Sequence, residues 1–371
     1  MRCRLALMAC AATDPKRTLT RLKCRSAARP GVISSLPLEG RMAIRIRRRE
    51  FIVTLGGAVA WPLAARAQEP GRTYRIGFMI LAPRNTPFAD AAFDELRVNG
   101  FIDGQNLIVL PGGFDDPNEV VAERAAALVK AGPDVIIAGP DGPIRALQAA
   151  TQTVPIVGMT EDMVAAGLVS SLAHPGSNTT GVSLLSPELD GKRLDILISA
   201  VPNARRIAAM TESAATPPYH LDMLRNGARS RGVELLVFAL NGADEIAAAM
   251  DAAKSSGCEA VNFLAGPLFS VVGSRGNSIV MERTLKLRLP GIFQWPEAAE
   301  AGGLLAYGPQ FTDMYRLRAR IAVKVLRGTK PADIPVEQPS RFELVVNLKT
   351  AKAIDYEIPA GLVLRADKVI D

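Results

Sequence analysis

From residue 74 onward, short apolar runs alternate with longer stretches whose apolar positions fall at helical spacing. Tyr74–Ile80 is an apolar run of strand length. Phe88 to Asn99 follows with Phe88, Ala92, Phe93 and Leu96 on one helical face, and Gly100 stands at the C-cap. The pattern then predicts a strand over Asn106–Leu110, a helix over Asn118–Ala131 and a strand over Asp134–Ala138, which ends at Gly139-Pro140. A helix over Ile144–Ala150 and a strand over Val154–Met159 complete the first half.

The series restarts after a loop at Gly176–Gly181. It predicts helices over Leu189–Ala200, Tyr219–Arg231 and Ala243–Ser255. Strands are predicted over Arg206–Met210, Glu234–Phe238, Ala260–Leu264 and Gly291–Gln294. After the apolar segment Leu304–Gly308 come a helix over Tyr315–Arg327 and a turn-rich connector, Gly328–Pro335. A strand over Phe342–Asn347 and a short helix over Leu348–Ala353 follow, and Val363-Leu364 is a last apolar pair. Short strands separated by helices of this length imply βαβ units and a mainly parallel sheet. The two halves meet near 180–185, so the expectation is an α/β protein of two lobes.

The front of the chain has a different pattern. Arg47-Arg48-Arg49-Glu50-Phe51-Ile52 leads into an apolar run that extends to Leu63, and Ala65-Arg66-Ala67 follows. A basic cluster, a short apolar run and an A-x-A site predict a signal peptide over 42–67, cleaved near Ala67. The run falls short of the roughly 20 residues of a membrane span. Arg48-Arg49-Glu50-Phe51-Ile52 resembles the twin-arginine export motif, with Arg47 in place of the usual Ser or Thr. A Sec-type signal is the alternative. Residues 1–41 show no sustained periodicity and are expected to be a leader or an extension ahead of the true start, Met42.

Removing that leader changes the charge. The whole chain is formally +7, but residues 1–67 hold 14 of the 44 Lys and Arg and only 3 of the 37 Asp and Glu. The remainder is mildly acidic, which argues against a nucleic-acid partner. Cys3, Cys10 and Cys24 also lie in the leader. Cys258 then stands alone before a strand and is expected to be buried and inert.

Chemistry is sparsely signalled. His174 and His220 lack metal-ligand partners at helical or turn spacing. No nucleophile elbow or glycine-rich phosphate loop occurs, so neither a catalytic group, a metal nor a cofactor is expected. In a parallel α/β sheet, ligands collect beyond the carboxyl ends of the strands. That rule selects Ala82 to Thr86, Gly139-Pro140-Asp141-Gly142, Thr160-Glu161-Asp162, Thr211-Glu212-Ser213, Ala265-Gly266-Pro267 and Gln294-Trp295. Within this set Arg84, Asn85 and Thr86 suit a carboxylate. Asp162 suits an amine, and Trp295, Tyr307 and Phe269 suit apolar walls. Each polar residue can equally be a helix cap.

Several segments resemble the substrate-binding proteins of ABC transporters, of the type I periplasmic-binding-protein group related to tryptophan- and tyrosine-type binders. They are Ala301–Gly308, Gly328–Pro339, Phe342–Ala353, Arg365–Ile370 and Gly167–Val182. The resemblance spans nearly all of 74–371. It departs at Thr160-Glu161-Asp162-Met163, at Ala306 and at Pro296–Glu300. It implies two lobes joined by three hinge crossings, with 72–182 and 308–335 in lobe one and 183–307 and 336–371 in lobe two. It further implies a small organic solute, an amino acid or an aromatic or organic carboxylate, held in the interlobe cleft. The implied setting is the periplasm, with a membrane permease and ATPase as partners and the receptor as a monomer. Two other expectations remain open on the residues alone: a twin-arginine-exported oxidoreductase on a Rossmann-like scaffold, and a ligand sensor docking on a membrane signalling protein.

Overall fold

The structure is a computed structural model and describes residues 71–80, 83–114, 120–213, 216, 218–270 and 274–371. The expected leader, its export motif, the cleavage point at Ala67 and Ala82 lie outside the described residues.

Lobe one begins with β1 (Tyr74–Ile80), α1 (Pro87–Val98), β2 (Leu107–Val109) and α2 (Val121–Lys130). It continues with β3 (Val135–Gly139), α3 (Asp141–Ala150), β4 (Ile156–Thr160) and β5 (Thr179–Ser183). These five strands form one parallel sheet in the order β2-β1-β3-β4-β5. β3, β4 and β5 are buried along their whole length, as strands covered on both faces must be.

The chain then leaves for lobe two through α4 (Ser186–Ala200), β6 (Arg206–Glu212), α5 (Pro218–Ser230), β7 (Glu234–Leu240) and α6 (Ala243–Ser255). β8 (Ala260–Phe263), the short α7 (Pro267–Ser270), α8 (Arg275–Leu287), β9 (Gly291–Phe293), α9 (Pro296–Glu300) and β10 (Leu305–Gly308) follow. The chain next returns to lobe one as α10 (Phe311–Leu326), which packs on α1 and against β3, β4 and β5. Finally β11 (Glu343–Asn347), α11 (Leu348–Ala353), α12 (Ala360–Val363) and β12 (Lys368–Ile370) rejoin lobe two. Its sheet runs β12-β11-β10-β9-β8-β6-β7, parallel except where β10 meets β11.

Three crossings therefore join the lobes: Leu184-Leu185, Pro309-Gln310 and Gln338 to Phe342. Two close approaches require glycine at them. A Cβ on Gly181, whose φ is +152°, would stand 2.0 Å from the Gly158 carbonyl oxygen, and one on Gly308 would stand 2.0 Å from that of Gln294. Glu337 is held to lobe one by hydrogen bonds between its backbone and Gly181 and Ser183, and by a 2.7 Å ion pair with Lys324.

The alternation read from the sequence is present. The loop expected at Gly176–Gly181 differs: from Thr179 the chain is strand β5. Thr179 and Thr180 are fully buried there, and Thr180 Oγ1 donates to the Ile334 carbonyl at 2.7 Å. That hydrogen bond removes the cost of burying a hydroxyl. Four helices, α7, α8, α9 and α12, add to the expected set.

Candidate functional site

The carboxyl ends of both sheets face one another across a cleft, with a cavity of about 570 Å³ counting its open mouth. From lobe one it is lined by Ile80, Gly139, Pro140, Met159, Thr160 and Glu161, the last residues of β1, β3 and β4 and their successors. From lobe two come Gly266, Gln294 and Trp295, after β8 and β9. Leu184 enters from the first crossing, and Phe311, Tyr315 and Arg318 come from α10.

One wall is aromatic. Trp295 packs on Phe311 with ring centroids 4.5 Å apart, Phe311 meets Tyr315 edge-on at 5.0 Å, and Phe88 closes the group behind them. Trp295 belongs to lobe two by chain position yet joins the lobe-one core. The two lobes are thus in direct apolar contact beside the cavity.

The polar lining is unusual because it is unpaired. Thr160 and Gln294 are 2% and 1% exposed, yet Thr160 Oγ1 and both amide atoms of Gln294 have no hydrogen-bond partner. Arg318 is 1% exposed. Its Nη1 donates to the Ala138 carbonyl at 3.3 Å and its guanidinium lies 4.3 Å from the Tyr315 ring centroid, but Nε and Nη2 have no partner. Burial pushes this guanidinium down from its ordinary value, the Tyr315 phenol opposes that shift, and no carboxylate is bonded to it. A buried polar group left unsatisfied costs roughly 1–3 kcal/mol, and more when charged. Thr160, Gln294 and Arg318 thus place several such groups on one cavity wall.

Glu161 is half-buried as a residue, but its Oε2 is sealed from solvent and unpaired. Burial raises its carboxyl to about 8; Asp190 adds to the rise, Arg193 opposes it, and Asp141 and Glu212 add further. Behind it, in lobe two, Asp190 and Arg193 form a fully buried ion pair on α4. Arg193 also donates to the Tyr307 carbonyl at 3.1 Å, and His220 Nε2 lies 3.1 Å from Asp190 Oδ2. Burial would raise the Asp190 carboxyl, but Arg193 and His220 outweigh it and hold it below the ordinary range.

The strand-end rule brings Gly139, Pro140, Thr160, Glu161, Gly266, Gln294 and Trp295 together at the cavity. The other candidates are placed elsewhere. Arg84 is paired with Asp103 at 2.8 Å and lies over Phe93, Asn85 is exposed, and Thr86 caps α1 by accepting from Ala89 N–H. Asp141 heads α3, and Asp162 Oδ1 accepts from the N–H groups of Val164 and Ala165 at 3.0 Å each. Thr211 is bonded to Thr216, and Glu212 lies at the end of β6, its carboxyl raised by burial. Phe269 is in the lobe-two core against Phe263, and Tyr307 packs beside Phe342.

Phe311, Tyr315 and Arg318 escape a rule built on strand ends. Their signal was the spacing i, i+4, i+7, which puts an arginine on an otherwise apolar helical face. Among the described residues no group of three metal-ligating side chains occurs, and no helix is long and apolar enough to cross a membrane.

Comparison with known proteins agrees with this architecture. The tyrosine-binding protein of Clostridioides difficile (strain R20291) is 26% identical over 266 residues, 71% of this chain and 74% of that protein. The structure of an ABC domain in complex with L-Trp from Streptococcus pneumoniae superposes with a TM-score of 0.70 at 24% identity, covering 80% of this chain and 100% of that one. A conserved domain protein from Vibrio cholerae gives the same TM-score of 0.70 at 21% identity, with the same coverage of 80% and 100%. These structures share the two-lobed type I periplasmic-binding-protein fold. The family model described as ABC transporter substrate binding protein matches residues 93–370, and the chain belongs to that family.

Proposed function

We propose that this protein is the solute receptor of an ABC import system and captures an aromatic amino acid between its lobes. The observation that carries this reading is Arg318: a buried guanidinium with two unpaired nitrogens on the wall of an aromatic cavity. A ligand carboxylate would supply the missing anion, and charge-assisted bonds from a planar guanidinium are the strong kind. The Trp295, Phe311 and Tyr315 rings would take the aromatic side chain of the ligand. The names of the relatives support this choice, one being a tyrosine-binding protein and another a complex with L-Trp.

Three crossings allow the lobes to open for entry and close over the ligand by hinge rotation. The closed form would then be read by a membrane permease, with the receptor a monomer exported to the periplasm. Nothing in the cleft requires a reaction: the ligand is held and released unchanged. Titration calorimetry with L-tyrosine, L-tryptophan and tyramine tests the reading. Binding of an aromatic amino acid without binding of tyramine, which has no carboxylate, is expected. Equal affinity for tyramine and L-tyrosine, or no affinity for any aromatic amino acid, overturns it.

A further inference from the structure

Glu161 occupies an odd position for a carboxylate. It follows β4 in lobe one and lines the cavity, yet the charges around it are mostly of its own sign. From α4 in lobe two it faces Asp190, which Arg193 and His220 already engage. The charges of Glu212, at the end of β6 with a sealed Oε2 that has no partner, and of Asp141, at the head of α3, also reach it. Arg193 is the cation that opposes them, but its guanidinium is committed to Asp190 and the Tyr307 carbonyl. Arg318, also on the cavity wall, is the remaining cation of the lining. The Glu161 backbone carbonyl accepts from Ser186 N–H at 3.4 Å, which ties it to the start of α4 in the other lobe.

A sealed carboxyl oxygen among like charges has two stable states. It holds a proton, or it receives a cation from whatever fills the cavity. We propose that Glu161 is the specificity-determining residue for the ligand's ammonium group, and that a ligand without that group is held only when a proton occupies the Glu161 carboxyl instead. This inference rests on the reading of the cleft as an amino-acid site and assigns it a bipolar character, with Arg318 for the carboxylate and Glu161 for the ammonium. The raised carboxyl value of about 8 sets the range over which the exchange is visible.

The sign follows from proton counting. With an amino acid bound, Glu161 stays ionised, because the ammonium takes the place of the proton. With a des-amino ligand bound, Glu161 carries a proton until the pH passes its raised value. The preference for the amino acid therefore grows with pH, by close to tenfold per unit between about pH 5.5 and about pH 8.

The probes are L-tyrosine with 3-(4-hydroxyphenyl)propionate, and L-tryptophan with indole-3-propionate, each pair sharing its ring and carboxylate. Calorimetry across that pH range on the wild-type protein and on Glu161→Gln reads both the affinity ratio and the proton uptake. Expected are a ratio that climbs with pH in the wild type, and greater proton uptake for the des-amino partner. In Glu161→Gln the ratio should be flat, with amino-acid affinity at least tenfold lower. A flat ratio in the wild type overturns this inference alone, as does a variant that keeps the wild-type ratio and slope. If no member of either pair binds, the amino-acid reading falls and takes this inference with it.

Discussion

Arg193 and Arg318 are the two largest fully buried side chains of the described structure, and they are solved in opposite ways. Arg193 is enclosed by its own protein, with Asp190 bonded to it and the Tyr307 carbonyl 3.1 Å away. Arg318 has one long bond to a backbone carbonyl and an aromatic ring, and no anion. A buried charge that the chain neutralises itself is part of the framework. A buried charge left unneutralised on a cavity wall is, in the reading proposed above, available to a ligand. Burial alone does not separate the two cases; the inventory of partners does.

Breaking the first arginine's pairing should damage the fold. Asp190→Asn leaves Arg193 buried without its anion, and removing one partner of such a pair costs about 3–5 kcal/mol. Urea unfolding of the ligand-free protein measures this, and a loss well under 1 kcal/mol would mean that the pair is not structural. The second arginine should behave in reverse. Arg318→Met removes an unpaired charge, so ligand-free stability should hold or rise. Affinity for an aromatic amino acid should drop by about 2–5 kcal/mol, the usual cost of truncating one partner of a buried charge pair across an interface.

The burial of Glu161, with Asp190 adding to it, gives the contrast a pH dependence. A carboxyl whose folded value is raised favours the folded state at low pH, and that advantage is lost as pH rises from its unfolded value through the folded one. For Glu161 the loss spans the range from the ordinary glutamate value of 4.5 up to about 8. Asp190 works the other way, because its lowered value costs stability only when the pH falls through it. Ligand-free stability should therefore decline between about pH 5 and about pH 8, and Glu161→Gln should flatten the decline. An unchanged slope in the variant would assign it to Glu212, Asp141 or Glu297, whose carboxyls burial also raises.

Much of the fold was legible because its strands are buried on both faces. Val135–Ala138 and Ile156–Met159 carry no polar side chain, and they stand out as runs. β5 was hidden because its burial is achieved with threonines and a glycine. Thr180 satisfies its hydroxyl on Ile334, a residue 154 positions away that no local pattern reveals. α8 was hidden by its composition, since only Gly276, Asn277, Val280 and Thr284 of its residues are buried.

The cleft was half legible for a related reason. Strand ends can be read from the chain, so Thr160, Glu161, Gln294 and Trp295 were reached. α10 enters the cleft from the second crossing, and only the three-dimensional path brings Phe311, Tyr315 and Arg318 there. The anion role given to Arg84 fails to reach the cavity for a local reason, namely its ion pair with Asp103 at 2.8 Å.

The smallest expected effect concerns Cys258. It is free and buried, and burial pushes its thiol up to about 11. With Cys3, Cys10 and Cys24 replaced by serine, the native protein should give almost no reaction with a thiol-specific disulfide reagent near neutral pH, and full reaction once unfolded. Rapid labelling of the native form would show that the lobe-two core opens more readily than its packing implies.

A crystal structure with an aromatic amino acid bound tests the role of Arg318 most directly. If Arg318 is the carboxylate anchor, Nε and Nη2 will be paired with the ligand carboxylate at about 2.7–2.9 Å, with the ligand ring against Trp295, Phe311 and Tyr315. A ligand seated with its carboxylate elsewhere, and Arg318 still without an anion, contradicts it.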